Sequence, residues 1–158
     1  MKKILLKIFL LTLAFSLNVY AEIKETSFEA YLSTFGYEER KEMKIDSVKL
    51  TVMLEEGTAQ LIDIRFKEEY EAWHMKSALN IPLNELPSRL DELDKAKLIV
   101  TACPHKDRAI MARTFLRLKG FQSSYLVDGL TGLAEYWRGD SAKAFIQEYN
   151  KQNKRTLK

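Results

Sequence analysis

Two spacings alternate along this chain: short apolar runs of strand length, and apolar stripes that recur every three or four residues. Thr26 with Glu29 forms a candidate capping box ahead of Phe28, Tyr31, Leu32 and Phe35, which predicts a first helix packed outside the main body. Met43-Lys44-Ile45 predicts a short strand, and Ser47 to Glu55 a helix closed by Gly57. Gln60 to Arg65 predicts a strand with one acid inside an apolar run. Phe66, Tyr70 and Trp73 then mark a short helix, and Ala78 to Ile81 a strand stopped by Pro82. Leu83, Leu86, Leu90 and Leu93 are again helically spaced. Leu98 to Ala102 predicts a buried strand. From Asp107 to Lys119 a helix places Ile110, Met111, Phe115 and Leu118 on one face and stops at Gly120. Ser124 to Val127 predicts the last strand, followed by a turn at Asp128-Gly129 and an aromatic cluster at Tyr136-Trp137. A closing helix from Ser141 to Lys151 turns Phe145, Ile146 and Tyr149 inward. Strands alternating with helices predict an α/β fold, a parallel sheet covered on both faces.

Residues 1–21 stand apart from this pattern. Lys2 and Lys3 begin a basic stretch, Ile8 to Leu17 is an apolar core, and Val19-Tyr20-Ala21 gives a small-x-small ending. This is the design of a cleaved secretory signal peptide, which places the mature chain, from about Glu22, in a bacterial periplasm. The apolar stretch is short for a bilayer crossing. The full chain carries 25 Lys+Arg against 22 Asp+Glu; without the leader's three lysines the two counts are equal. A neutral mature chain has no global field to draw it to nucleic acid or anionic lipid. The remainder divides into a helical extension over 22–44, one domain over 45–139, and a C-terminal helix and charged tail over 140–158.

Chemistry concentrates at Cys103, the chain's single cysteine, which rules out an intrachain disulfide. It lies between the strand Leu98 to Ala102 and the helix beginning at Asp107. A thiol there faces orphan backbone N–H groups and the positive end of a helix dipole, an arrangement expected to lower its pKa and populate the thiolate. Ligands of parallel sheets bind at the carboxyl ends of the strands, where Cys103 stands. Two histidines and one cysteine, spread along the chain, predict no metal site.

Leu61-Ile62-Asp63-Ile64-Arg65, then Glu69-Tyr70 with His74 and Ala78 to Pro82, then Cys103 with Arg108, and finally Val127-Asp128-Gly129 with Trp137, together resemble the single-domain rhodaneses, over roughly Ile45 to Gly139. The resemblance implies a three-layer fold with a central parallel sheet and a sulfurtransferase activity that needs no cofactor. Cys103 would take the outer sulfur of thiosulfate or a polysulfide as a persulfide and pass it to cyanide or a thiol, a protein thiol included. The loop from Pro104 to Arg108 would cradle the anion through backbone N–H groups, with Arg108 as the fixed cation and Lys106 and His105 adding charge at the mouth. Asp63, Arg65 and His74 would brace the surrounding loops. Four residues separate Cys103 from Arg108, the sulfurtransferase spacing; related phosphatase-type domains have one more.

The loop also departs from the family pattern. Lys106 and Ala109 stand where a glycine and a serine are common, so a left-handed turn at 106 would be strained. Pro104 removes one N–H from the cradle. Trp73-His74-Met75-Lys76-Ser77-Ala78 replaces the usual Gly-His-Ile-Pro-Gly-Ala. A second reading follows, in which the same fold serves as a non-catalytic binding or sulfur-carrier module for a periplasmic partner.

Overall fold

The computed structural model describes residues 25–156, so the leader expected over 1–21 lies outside the described residues. Two short helices, α1 (Phe28–Ser33) and α2 (Tyr37–Glu42), precede a five-stranded sheet made of β1 (Lys44–Ile45), β2 (Ala59–Asp63), β3 (Ala78–Asn80), β4 (Leu98–Ala102) and β5 (Ser123–Leu126). Helices α3 (Ser47–Glu55), α4 (Lys67–Ala72), α5 (Asp107–Leu118) and α6 (Gly129–Tyr136) connect or follow the strands, and α7 (Asp140–Thr156) closes the chain. Every strand pair is parallel, in the order β1-β5-β4-β2-β3.

Side chains alternate across the strands, and that alternation divides the core in two. Leu61, Val100, Ala102 and Leu126 face α3, α6 and α7, where they meet Leu50, Leu54, Leu130 and Phe145. Ile62, Ile64 and Ile99 face the opposite layer, with Ile81, Leu86, Leu116 and Phe121. The result is the three-layer α/β architecture that the sequence pattern predicts.

Three local expectations fail, each for a physical reason. The cap of α1 is Ser27, whose hydroxyl accepts from the Ala30 N–H at 3.1 Å, rather than a box built on Thr26. Leu83 to Leu93 forms two 3-10 turns, Leu86–Ser88 and Leu90–Glu92, because Pro87 cannot donate within a continuing helix. Helix α5 buries Ala109, Ala112, Arg113 and Leu116, whereas Met111 is 62% exposed. Small alanines let this helix lie close against the sheet. Arg113 is buried because it donates to the Ser123 carbonyl (3.0 Å) and the Tyr31 hydroxyl (2.7 Å) and pairs with Glu39. That cluster fastens α1 and α2 to the domain.

Candidate active site

Strand order reverses direction between β4 and β2, since the chain leaves β2 towards β3 and β4 towards β5. Such a switch point opens a crevice at the carboxyl ends of the strands. Two segments leave the sheet there side by side, Ile64-Arg65 after β2 and Cys103 after β4. The Ile64 N–H donates to the Ala102 carbonyl at 3.0 Å and joins them.

The β2 end is held by a buried ion pair. Arg65 donates from Nε to Asp63 Oδ1 (2.9 Å) and from Nη2 to Oδ2 (2.6 Å), with both side chains essentially inaccessible to solvent. Its Nη2 also donates to the Trp73 carbonyl at 2.7 Å, and its guanidinium lies 4.2 Å from the centre of the Trp73 ring. Asn80 donates to the carbonyls of both Asp63 and Arg65. Asp63 and Arg65 therefore fix the loop that carries Phe66 and α4. His74 contributes from farther out: its Nδ1 lies 3.0 Å from the Tyr70 carbonyl and its ring stacks on Tyr70 at 4.1 Å.

The β4 end is held from the other side by α6. Leu130 N–H donates to the Cys103 carbonyl (2.8 Å), and Thr131 donates from both N–H (3.3 Å) and hydroxyl (2.8 Å) to the Pro104 carbonyl. Here the free donors of a helix start hold the backbone of the cysteine loop rather than a ligand. Gly129 makes this approach possible. Its φ is +67°, and a Cβ built on it would lie 2.3 Å from the Pro104 oxygen and 2.4 Å from the His105 oxygen. The turn that the sequence predicts at Asp128-Gly129 is thus the point where the cysteine loop is held, a contact the turn signal alone does not show.

Cys103 itself has no solvent-accessible surface. Its thiol donates to Asp107 Oδ1 at 3.5 Å. The expected depression of its pKa is not what the surroundings produce. Burial pushes the thiol up, and the Asp107 carboxylate adds to the rise, outweighing the backbone N–H groups of Ala109 and His105 that favour the thiolate. Asp107 is held in the opposite sense, lowered by the Arg108 N–H and by the thiol's hydrogen bond.

Arg108 also differs from expectation. Its fork is engaged with Glu69, Nη1 to Oε2 at 2.7 Å and Nη2 to Oε1 at 2.9 Å. Glu69 reaches this position because its carboxylate also accepts from the Phe66 N–H at the start of α4. That bidentate contact with Arg108 brings the Glu69 carboxyl down to about 2. Arg108 thus clamps the cysteine loop to α4, with its charge already compensated. His105 and Lys106 are exposed at the rim. Lys106 has a φ of −156°, so the strain expected from the missing glycine does not arise. Among the described residues, no three His, Cys, Asp or Glu side chains gather as metal ligands.

Residues 47–136 match the Rhodanese-like domain family. Among curated proteins, the tRNA uridine(34) hydroxylase of Erwinia tasmaniensis is 33% identical over 100 residues, covering 60% of this chain and 28% of that protein. The chain spans about a quarter of the length of the hydroxylases it matches. Among solved structures, reduced Bacillus anthracis CoADR-RHD is 30% identical with a TM-score of 0.52, over 57% of this chain and 16% of its own. The human single-domain sulfurtransferase TSTD1 is 27% identical with a TM-score of 0.52, over 59% of this chain and 96% of its own.

Proposed function

The chain belongs to the rhodanese-like domain family, and from that premise we propose that it transfers sulfane sulfur through a persulfide on Cys103. The observation that carries this reading is the placement of the Cys103 sulfur. It stands at the carboxyl end of the central strand β4 and ahead of the start of α5, where the backbone N–H groups of Ala109 and His105 favour its thiolate. Its loop is fixed by α6 on one side and by Arg108–Glu69 on the other. Cys103 attacks the outer sulfur of a thiosulfate or polysulfide donor, and the two N–H groups stabilise the persulfide anion that results. A thiol or cyanide then removes the sulfur and restores the cysteine. The basic, apolar leader supports export of the chain to the periplasm.

A second reading has an observation of its own. The complete burial of Cys103 and the compensated charge of Arg108 both suit a module of the same fold that binds or carries sulfur for a periplasmic partner without turnover.

Intact mass after treatment with thiosulfate and, separately, inorganic polysulfide tests the persulfide, with Cys103→Ser alongside. The expected result is gain of one sulfur atom by the unmodified chain only, removable by cyanide. No gain from either donor, on a folded protein with a reduced thiol, would overturn the catalytic and carrier readings together.

A further inference from the structure

The charges nearest the Cys103 thiol are arranged for a different leaving group from the sulfite that thiosulfate releases. Asp107 Oδ1 touches the sulfur at 3.5 Å, and the nearby cation, Arg108, already has both arms of its fork on Glu69. Pro104, the residue after the cysteine, has no N–H to give. A dianionic donor entering this loop meets a carboxylate at the reacting atom and a guanidinium already paired, with the Lys106 ammonium only at the exposed rim.

We propose that Asp107 is the proton-transfer residue of the loading step, and that it directs Cys103 to hydropersulfide and polysulfide donors rather than thiosulfate. The proposal rests on the persulfide reading above and names the donor class of that same site.

The two donors make opposite demands on the site. When thiosulfate is the donor, the sulfur–sulfur bond breaks with its electron pair leaving on sulfite, an anion that needs positive charge as it forms. When a hydropersulfide R–S–SH is the donor, the pair leaves on a thiolate, which needs a proton. The Cys103 thiol carries that proton, and the Asp107 carboxylate is in contact with it. As the sulfur of Cys103 bonds to the terminal sulfur of the donor, the proton passes from Cys103 to Asp107, and from Asp107 to the departing thiolate. Cys103–SH and R–S–SH become Cys103–S–SH and R–SH. One sulfur–sulfur bond forms, one breaks, and no outside oxidant or reductant takes part. Asp107 is an exposed residue, so its carboxylate can be reached from outside the loop.

The bland account of Asp107 is an acid at the first position of α5, favourable to the helix dipole and otherwise solvated. That account predicts a change in stability on substitution but no change in donor preference. The two are separated by Asp107→Asn, which keeps the shape and removes the charge, and by Asp107→Ser, which removes the carboxylate and leaves a small polar side chain at the same position. Loading of Cys103 is timed by intact mass with glutathione persulfide and with thiosulfate, and the pH profile of Cys103 alkylation is measured in parallel.

The unmodified chain is expected to load faster from glutathione persulfide. Both variants should slow that reaction by about 100-fold, the usual scale for losing a proton-transfer group, and should speed loading from thiosulfate. Their alkylation profiles should move to lower pH. Equal loading of the unmodified chain from both donors, or an unchanged donor ratio in both variants, would overturn the proposal and leave the Cys103 persulfide standing. Failure of both donors to load Cys103 would overturn the proposal and the persulfide reading alike.

Discussion

Replacing Gly129 by alanine should damage the chain much more than the same change at Gly139, and the structure says by how much. Both glycines have positive φ, +67° and +58°. A Cβ at either position therefore meets the left-handed penalty of about 1–2 kcal/mol. Both changes also stiffen the unfolded chain to the same extent, so that term cancels in the comparison. The difference lies in the surroundings. Nothing stands within 4 Å of a Cβ at Gly139, while at Gly129 the Cβ lies 2.3 Å, 2.4 Å and 2.8 Å from backbone atoms of Pro104 and His105. Those atoms belong to the cysteine loop and cannot swing aside as a side-chain tip would. The loop must lift, and it loses its bonds from Leu130 N–H to the Cys103 carbonyl and from Thr131 to the Pro104 carbonyl. At about 1 kcal/mol for each bond, Gly129→Ala should cost about 2–3 kcal/mol more than Gly139→Ala. That is a large part of a total stability of about 5–15 kcal/mol. Urea unfolding of both variants measures the difference, and the alkylation rate of Cys103 reports whether the loop has lifted. Equal losses in the two variants, with unchanged alkylation, would refute the claim that Gly129 is the surface on which the cysteine loop rests.

Asp63→Asn should cost about 3–5 kcal/mol in urea unfolding, because it leaves the Arg65 guanidinium charged, buried and short of its partner; a loss below about 1 kcal/mol would mean the pair is not what holds the β2 loop. Glu69 sets an acid-side dependence: its carboxyl is at about 2 in the folded chain, held there by Arg108, against an ordinary value near 4.3. A depressed folded value means the pair's contribution is complete above about pH 4.3 and is lost as pH falls towards 2. Partial exposure of both side chains (27% and 37%) keeps that contribution modest. Glu69→Gln should therefore reduce the drop in urea midpoint between pH 7 and pH 3, and an unchanged drop would show that Arg108 and Glu69 are not paired in solution.

The central strands β2 and β4 were legible because each is a largely apolar, largely buried run of strand length. Their limits agree with the sequence reading to within a residue or two. Their order in the sheet was not legible, since a parallel strand carries no mark of its neighbour. The Leu83 to Leu93 segment shows a readable signal passed over: Pro87 interrupts the leucine stripe, and a stripe with a proline in its middle is a poor helix. Helix α5 shows a limit of another kind. An arginine on the buried face contradicts the apolar pattern until its partners are known, and Glu39 and Tyr31 lie more than seventy residues away in sequence.

The same limit explains why the cysteine loop was legible in place but not in the partners of its charges. Spacing put Cys103, His105, Lys106 and Arg108 in one loop between a strand and a helix, and the structure has them there. The family resemblance then implied an anion cradle of backbone N–H groups, with Arg108 as its fixed cation and Lys106 and His105 adding charge at the mouth. Charge at a site depends on what each group faces, which the resemblance leaves out. Arg108 faces Glu69, a residue from another helix, and Asp107, adjacent to it in sequence, faces the thiol. The helix start that was expected to activate the thiol contributes the N–H of Ala109, yet the acid at its first position and the complete burial of the sulfur act against it. A loop rich in cations thus surrounds a thiol whose closest charged contact is an anion. Donor chemistry should follow that contact rather than the loop's total charge.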